Sequence, residues 1–274
     1  MNSNQPSKAS EPSSYFVLQD GRLQEKSCLV AAEKPIAISY NGTSHAVMMA
    51  TPADFEDFAI GFSLTEGLIS SRKDVENISV LELENGYDIQ IQLNQSHREA
   101  FQKRRRHMAG PVGCGLCGIE SIDAAMRDLP QITENNKLSM TKIIKTVENL
   151  KSQQILNQKT HTTHAAAFYR SHHDKEFGLV AIREDVGRHN ALDKLCGALV
   201  NAEETVSNGA VIVTSRLSVE MVQKTVMMGA SALIAISAPT AEAIRIGREA
   251  NLTLVARMRG HQYEIYSGVE RVSI

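Results

Sequence analysis

Residues 209–260 read GAVIVTSRLSVEMVQKTVMMGASALIAISAPTAEAIRIGREANLTLVARMRG. Three short apolar runs, at 210–214, 232–237 and 252–257, are separated by two segments, 219–228 and 240–250, whose apolar residues recur at helical spacing. Apolar runs of strand length without polar alternation belong to strands buried on both faces, and strands alternating with helices build a layered sheet. Just upstream, 165–169 and 178–183 read as two further strands around the polar His172-His173-Asp174-Lys175, and 189–203 as a helix. The expectation is an α/β fold whose C-terminal domain has three layers, α/β/α, with helices on both faces of the sheet.

The text before this region has another rhythm. Runs at 35–39 and 45–50 flank Asn41-Gly42, and runs at 75–84 and 87–93 flank Asn85-Gly86, both dipeptides that suit tight hairpin turns. Between them Thr51-Pro52-Ala53-Asp54 predicts a helix start, with Thr51 as cap and the helix running to about residue 69. A charged segment, 96–107, leads into a glycine-rich stretch; beyond it, 119–129 and 141–158 carry helical periodicity. The predicted plan is a disordered tail at 1–14, a smaller N-terminal α+β subdomain of hairpins and a helix at 15–107, a flexible loop at 108–118, and the α/β domain at 119–274.

Composition narrows the function classes. With 274 residues and 42% hydrophobic content the chain can bury a real core, and four scattered cysteines do not make a disulfide framework. The first residues lack the charged start and apolar stretch of a secretory signal, so a cytoplasmic, reducing location is expected. No apolar run approaches the roughly 20 residues of a membrane helix, and no membrane role is expected. A formal charge of -2 supplies no overall field for nucleic acid, so an anionic ligand has to be met by local basic clusters.

Two such clusters carry chemistry. Cys114 and Cys117 lie in Gly110-Pro111-Val112-Gly113-Cys114-Gly115-Leu116-Cys117-Gly118, directly after Arg104-Arg105-Arg106-His107. Small neighbours leave the sulfurs reachable, and nearby guanidinium groups favour thiolate over thiol. Structural zinc requires two further ligands, whereas Cys28 and Cys196 are isolated and His161 and His164 lie far downstream. A zinc deaminase pattern is echoed by His97-Arg98-Glu99, although Gly113 stands where that pattern has proline. The remaining reading is a nucleophilic cysteine that receives and passes on a group, with the second cysteine assisting.

The other cluster is Arg183-Glu184-Asp185-Val186-Gly187-Arg188-His189-Asn190-Ala191-Leu192-Asp193-Lys194, between a strand and a helix. Helix amino ends favour phosphate; Arg188 can neutralise it, and His189, Asn190 and Asp193 can recognise a base edge. A capped helix start with surface ion pairs is the competing reading. Thr214-Ser215-Arg216, Ala238-Pro239-Thr240 and Arg257-Met258-Arg259-Gly260 follow neighbouring strands, and ligands of open α/β sheets collect at such carboxyl ends.

Four ordered motifs resemble the formate dehydrogenase accessory sulfurtransferases: Gly113-Cys114-Gly115-Leu116-Cys117-Gly118, Glu184 to Lys194, Thr214 to Ser218 with Glu220-Met221-Val222, and Ser237-Ala238-Pro239-Thr240. The resemblance implies a C-terminal domain similar to the cytidine deaminase fold. It also implies a sulfur relay. A cysteine desulfurase would load Cys114 as a persulfide, with Cys117 assisting, for delivery to the bis-molybdopterin guanine dinucleotide cofactor before its insertion into the formate dehydrogenase apoenzyme. The alternative is a non-catalytic chaperone that only holds the cofactor. Further implications are cofactor contacts at Val255, Ala256, Arg257, Met258, Arg259 and Gly260, alongside Arg188, His189, Asn190, Asp193 and Ser215; no resident metal; and a homodimer.

Overall fold

A computed structural model describes residues 8–98, 127–170 and 178–273. The cysteine pair, the arginine run, residues 119–126 of the expected helix and the turn at 172–175 lie outside the described residues.

The chain opens with a two-stranded hairpin, β1 (Ser10–Gln19) and β2 (Arg22–Ala31), joined by Asp20 and Gly21 at φ of 52° and 72°. Residues 10–14, expected in a disordered tail, are thus strand. Their composition is poor in apolar groups, but the Asp20-Gly21 turn brings residues 27–31 across from them in register. The hairpin packs few of its own side chains: Tyr15, Phe16, Leu18 and Leu23 are exposed.

Next come β3 (Lys34–Tyr40), β4 (Thr43–Ala50), α1 (Phe55–Thr65), β5 (Val75–Leu83) and β6 (Gly86–Leu93). Both expected hairpins form, and the parallel pairing of β3 with β6 joins them into a sheet ordered β4-β3-β6-β5. Ile36, Ile38, Ile89 and Ile91 face Phe58 and Phe62 of α1 in one core. The helix is shorter than predicted. It starts after Asp54, which takes left-handed φ of 53°, because Thr51 is drawn into bonds with the second domain.

In the larger domain β7 (Leu138–Ser139), α2 (Met140–Gln153) and α3 (Ile155–Thr160) precede β8 (His164–Arg170) and β9 (Leu179–Asp185). Then follow α4 (Arg188–Asn201), β10 (Gly209–Val213), α5 (Val219–Met227), β11 (Ala232–Ala235), α6 (Ala241–Glu249), β12 (Thr253–Arg259), β13 (Gln262–Ser267) and β14 (Val272–Ser273). Six strands form one sheet ordered β13-β12-β11-β10-β8-β9. Val211, Val213, Leu233 and Leu254 face α4, α5 and α6 through Leu192, Leu195, Met221, Val222 and Ile246. Ala210, Ile212, Ile234 and Val255 face Met140, Ile143, Ile144 and Leu150 of α2. The three layers are therefore present, and burial on both faces explains why these strands lack polar alternation.

Strands β10, β11 and β12 are parallel, while β8 and β13 run against them and β9 runs with them. The carboxyl ends of β9, β10, β11 and β12 therefore share one edge with the amino end of β8. In β12 a bulge places Arg257 at φ of 54°. The extra residue shifts the alternation by one, so that Met258 joins Val255 in the α2-side core while Arg257 is thrown outward.

The two domains touch through α1 and α4. A β-carbon on Gly61 would stand 1.7 Å from the Asp193 carbonyl oxygen, and one on Gly197 would stand 1.8 Å from that of Asp57. Only glycine permits backbones this close.

Candidate functional site at the carboxyl edge

Asp185, the last residue of β9, organises the turn into α4. Its Oδ1 accepts bonds from the Gly187 N–H at 2.7 Å and from Asn190 Nδ2 at 3.0 Å, and its Oδ2 accepts from the Thr51 N–H at 3.0 Å. Lys194, one turn along α4 from Asn190, places Nζ 2.6 Å from the same carboxylate and donates to the Thr51 carbonyl at 2.8 Å. Asn190 also donates to the Met49 carbonyl, and the Thr51 hydroxyl accepts from the Val186 N–H. The entrance to α4 is thereby fastened to the N-terminal domain.

A second buried cluster lies one turn deeper. Asp193 accepts from the Thr65 hydroxyl at 2.6 Å and from Lys224 Nζ at 2.9 Å. Lys224 donates also to Glu66 at 2.8 Å, and Arg127 binds both Glu66 and the Thr65 carbonyl. Burial acts to raise the Glu66 pKa, but Lys224 and Arg127 outweigh it and hold the carboxyl at about 2. Burial likewise opposes the Lys224 charge, while Asp193 and Glu66 hold its pKa above the ordinary lysine range.

What faces the strand ends is different in character. His189 Nε2 and Arg188 Nε are buried and have no hydrogen-bond partner among the described residues, and Glu220 Oε2 lies 3.9 Å from His189. Burial, then the charges of Arg188 and Lys224, push the His189 pKa down to about 4 against the pull of Glu220. His164, at the start of β8, is lowered by burial and by Arg188. Both imidazoles are thus disfavoured in the charged form, and beside them Arg188 supplies positive charge at this corner. A partly buried guanidinium beside uncharged imidazoles is suited to an anion supplied from outside.

The sequence-predicted residues thus divide. Arg188 and His189 stand at the edge. Asn190 and Asp193 lie beneath it with their polar groups engaged inside the protein, and buried Ser215 donates its hydroxyl to the Arg216 carbonyl. Val255, Ala256 and Met258 put their side chains into the cores, whereas Arg257, Arg259 and Gly260 are exposed at the end of β12. Cys114 and Cys117 lie outside the described residues. Sequence reasoning passed over Thr51, Thr65, Glu66, Arg127, His164 and Lys224. Of these only Thr51, read as a helix cap, and His164, weighed as a zinc ligand, carried any local signal; Glu220 was quoted as part of a motif without a role of its own, and Lys224 read as one more polar position on a Met-rich helix.

A model of the FdhD/NarQ family matches residues 31–273. The chain belongs to the FdhD/NarQ family. Relatives named sulfur carrier protein FdhD include one from Agrobacterium fabrum, 52% identical over 244 residues that cover 89% of each chain. Another, from Brucella abortus, is 52% identical over 250 residues, 91% of each chain. A solved Desulfotalea psychrophila protein, described as a candidate formate dehydrogenase accessory protein, shares the fold at a TM-score of 0.74 and 24% identity, covering 97% of this chain and all of that one. No helix among the described residues is long and apolar enough to cross a membrane.

Proposed function

We propose that this FdhD/NarQ protein is a cytoplasmic sulfur carrier for formate dehydrogenase maturation, and that Cys114 carries the sulfur. In loading, the Cys114 thiolate attacks the outer sulfur of a persulfide on a cysteine desulfurase. The donor's S–S bond breaks, the donor leaves as thiolate, and Cys114 holds a persulfide. In delivery, Cys117 attacks the inner sulfur of that persulfide; hydrosulfide leaves toward the molybdenum of the bound guanine dinucleotide cofactor, and a Cys114–Cys117 disulfide keeps the electrons balanced. A dithiol reductant then restores both thiols.

The observation that carries this reading is the edge at Arg188. It presents a cation whose buried Nε has no hydrogen-bond partner among the described residues, beside neutral His189, at strand ends where phosphorylated ligands of α/β sheets collect. Arg257 and Arg259 at the end of β12 add positive charge for the cofactor's phosphates. Asn190 and Asp193 serve by fixing the turn and helix that hold Arg188 and His189. A deaminase-like larger domain and a homodimer complete the proposal.

Intact mass after incubation with a cysteine desulfurase and cysteine tests it. One added sulfur on the Cys114 peptide is expected, absent in Cys114→Ala, together with loss of formate dehydrogenase activation in that variant. Full activation by Cys114→Ala, with guanine nucleotide binding retained, would instead support a chaperone that only holds the cofactor.

A further inference from the structure

Asp193, the acid expected to meet a base, is enclosed with its oxygens accepting from Thr65 and Lys224, and other acids around the edge are occupied as well. Asp185 holds Lys194 and the Thr51 N–H, Glu66 holds Lys224, and Glu184 accepts from the Leu156 and Asn157 N–H groups. Glu220, in the first turn of α5, differs from all of these. Its side chain is partly buried, and its one ion-pair partner among the described residues is His189, 3.9 Å away and beyond hydrogen-bond reach. With a pKa of about 4, His189 is neutral at neutral pH and leaves that carboxylate uncompensated. Burial works against the Glu220 charge, but neighbouring polar groups, Ser218 foremost, outweigh it and hold its pKa below the ordinary carboxylate value.

The spacing of this corner is set one turn deeper. His189 and Asp193 share one edge of α4, Glu220 and Lys224 one edge of α5, and the inner rung, Asp193 with Lys224 at 2.9 Å, holds the helices while the outer rung stays open. Beside that open rung Arg188 Nε is buried without an acceptor among the described residues, and its charge is felt at both His189 and Glu220. A bare phosphate satisfies the guanidinium but is repelled by the carboxylate. A ligand that suits both brings an acceptor for Arg188 and paired N–H donors for Glu220. Guanine carries such donors side by side, at N1 and the 2-amino group, next to the acceptor O6. Adenine turns a lone pair at N1 toward a carboxylate, and hypoxanthine lacks the 2-amino group.

We propose that Glu220 is the specificity residue of this edge: its carboxylate accepts from N1–H and the 2-amino group of a guanine, with Arg188 donating to an acceptor of the same nucleotide. The inference rests on the reading of the edge as a guanine dinucleotide site. It gives the base-reading part to Glu220, and leaves Asp193 to keep α4 and α5 in register beneath it.

Equilibrium titration of the full-length protein with GDP, inosine diphosphate and ADP, which share their diphosphate and differ in the base, tests the assignment. The wild type is expected to bind GDP roughly 10- to 100-fold more tightly than inosine diphosphate, the range for one hydrogen bond to a charged group, and ADP no better than inosine diphosphate. Glu220→Gln, whose amide sets N–H donors against those of guanine, is expected to bind GDP and inosine diphosphate alike, with thermal unfolding to show that it is folded. Equal binding of all three nucleotides by the wild type overturns the inference. So does a wild-type GDP preference in folded Glu220→Gln, or a loss of affinity equal for all three, which marks a structural role. Tighter binding of all three by Glu220→Gln overturns it too, because Glu220 then faces phosphate. If Glu220→Gln does not fold, Glu220→Asp carries the measurement: its shorter carboxylate is expected to reduce the GDP preference, and an unchanged preference overturns the inference. Failure of the underlying reading looks different: the wild type then binds none of the three, which removes the inference with it, whereas binding without preference removes the inference alone.

Discussion

Lys194 and Asp185 meet at 2.6 Å with neither side chain exposed to solvent, and between them they hold Thr51 of the other domain by its N–H and its carbonyl. This pair fixes both the turn that presents Arg188 and the seam between the domains. Removing one member leaves the other charge buried without compensation, which costs far more than the pair itself contributes. Lys194→Ala is expected to lower stability by about 3–5 kcal/mol in denaturant unfolding. A loss below about 1 kcal/mol would show that water reaches Asp185 and that the seam is looser than described.

The glycine contact between α1 and α4 makes a second prediction. Gly61→Ala and Gly197→Ala each drive a methyl group into a carbonyl oxygen of the facing helix, and the backbones must separate. Each should destabilise the fold by about 2–3 kcal/mol, whereas an alanine at solvent-facing Gly42 should act through its turn alone. Because the displaced helix is α4, weaker guanine nucleotide binding should accompany the Gly197 change. Unchanged melting in both variants would exclude the close crossing.

Arg257 offers the opposite sign. Its left-handed backbone, at φ of 54°, is unfavourable for any residue with a β-carbon, and its exposed pair with Glu264 at 3.2 Å contributes little. Arg257→Gly is expected to leave stability unchanged or raise it by up to about 1 kcal/mol while weakening guanine nucleotide binding severalfold. Loss of stability without loss of binding would assign Arg257 a purely structural part.

The acid side of the stability profile follows from His189. Its folded pKa of about 4 lies below the ordinary value of 6.5, so between those values the unfolded chain binds the proton and the folded chain does not. Stability therefore falls as pH drops from about 6.5 to 4, by at most about 3 kcal/mol. His164, lowered in the same direction, adds to the slope. Glu66 acts later: depressed to about 2, it contributes fully above its ordinary 4.5 and is lost as pH falls toward 2. Denaturant unfolding at pH 7 and 4.5 should show His189→Gln losing less stability than the wild type across that interval. An equal loss in both would place the proton elsewhere.

Much of the architecture was legible because its causes are local. Asn41-Gly42 and Asn85-Gly86 accept the turn backbone, so both hairpins could be placed from dipeptides. The apolar runs around Val211, Leu233 and Leu254 announced strands covered on both faces, and α2 and α4 to α6 do cover them. The failures are equally physical. Thr51 had the text of a helix cap, but the buried Asp185 and Lys194 offered its backbone and hydroxyl stronger partners, and the helix start moved to Phe55. Residues 10–14 had the composition of a tail, yet the Asp20-Gly21 turn gave them a strand to pair with. The bulge at Arg257, which separates exposed Arg257 from buried Met258, has no signature in a continuous apolar run.

The sequence by itself determined the alternation of strands and helices from β8 to β12, the two Asn-Gly hairpins, the four motifs of the FdhD/NarQ family and the presence of Arg188 and His189 at a helix start, because each depends on residues within a few positions of one another. Only the tertiary structure decided which polar residues are available to a ligand. Asp193 lies 128 positions from Thr65 and 31 from Lys224, and its bonds to them turn a candidate ligand contact into the support beneath His189. Burial makes that choice: a carboxylate enclosed by protein is stable only with its partners in place, and those partners come from elements brought together by the packing of α1 on α4.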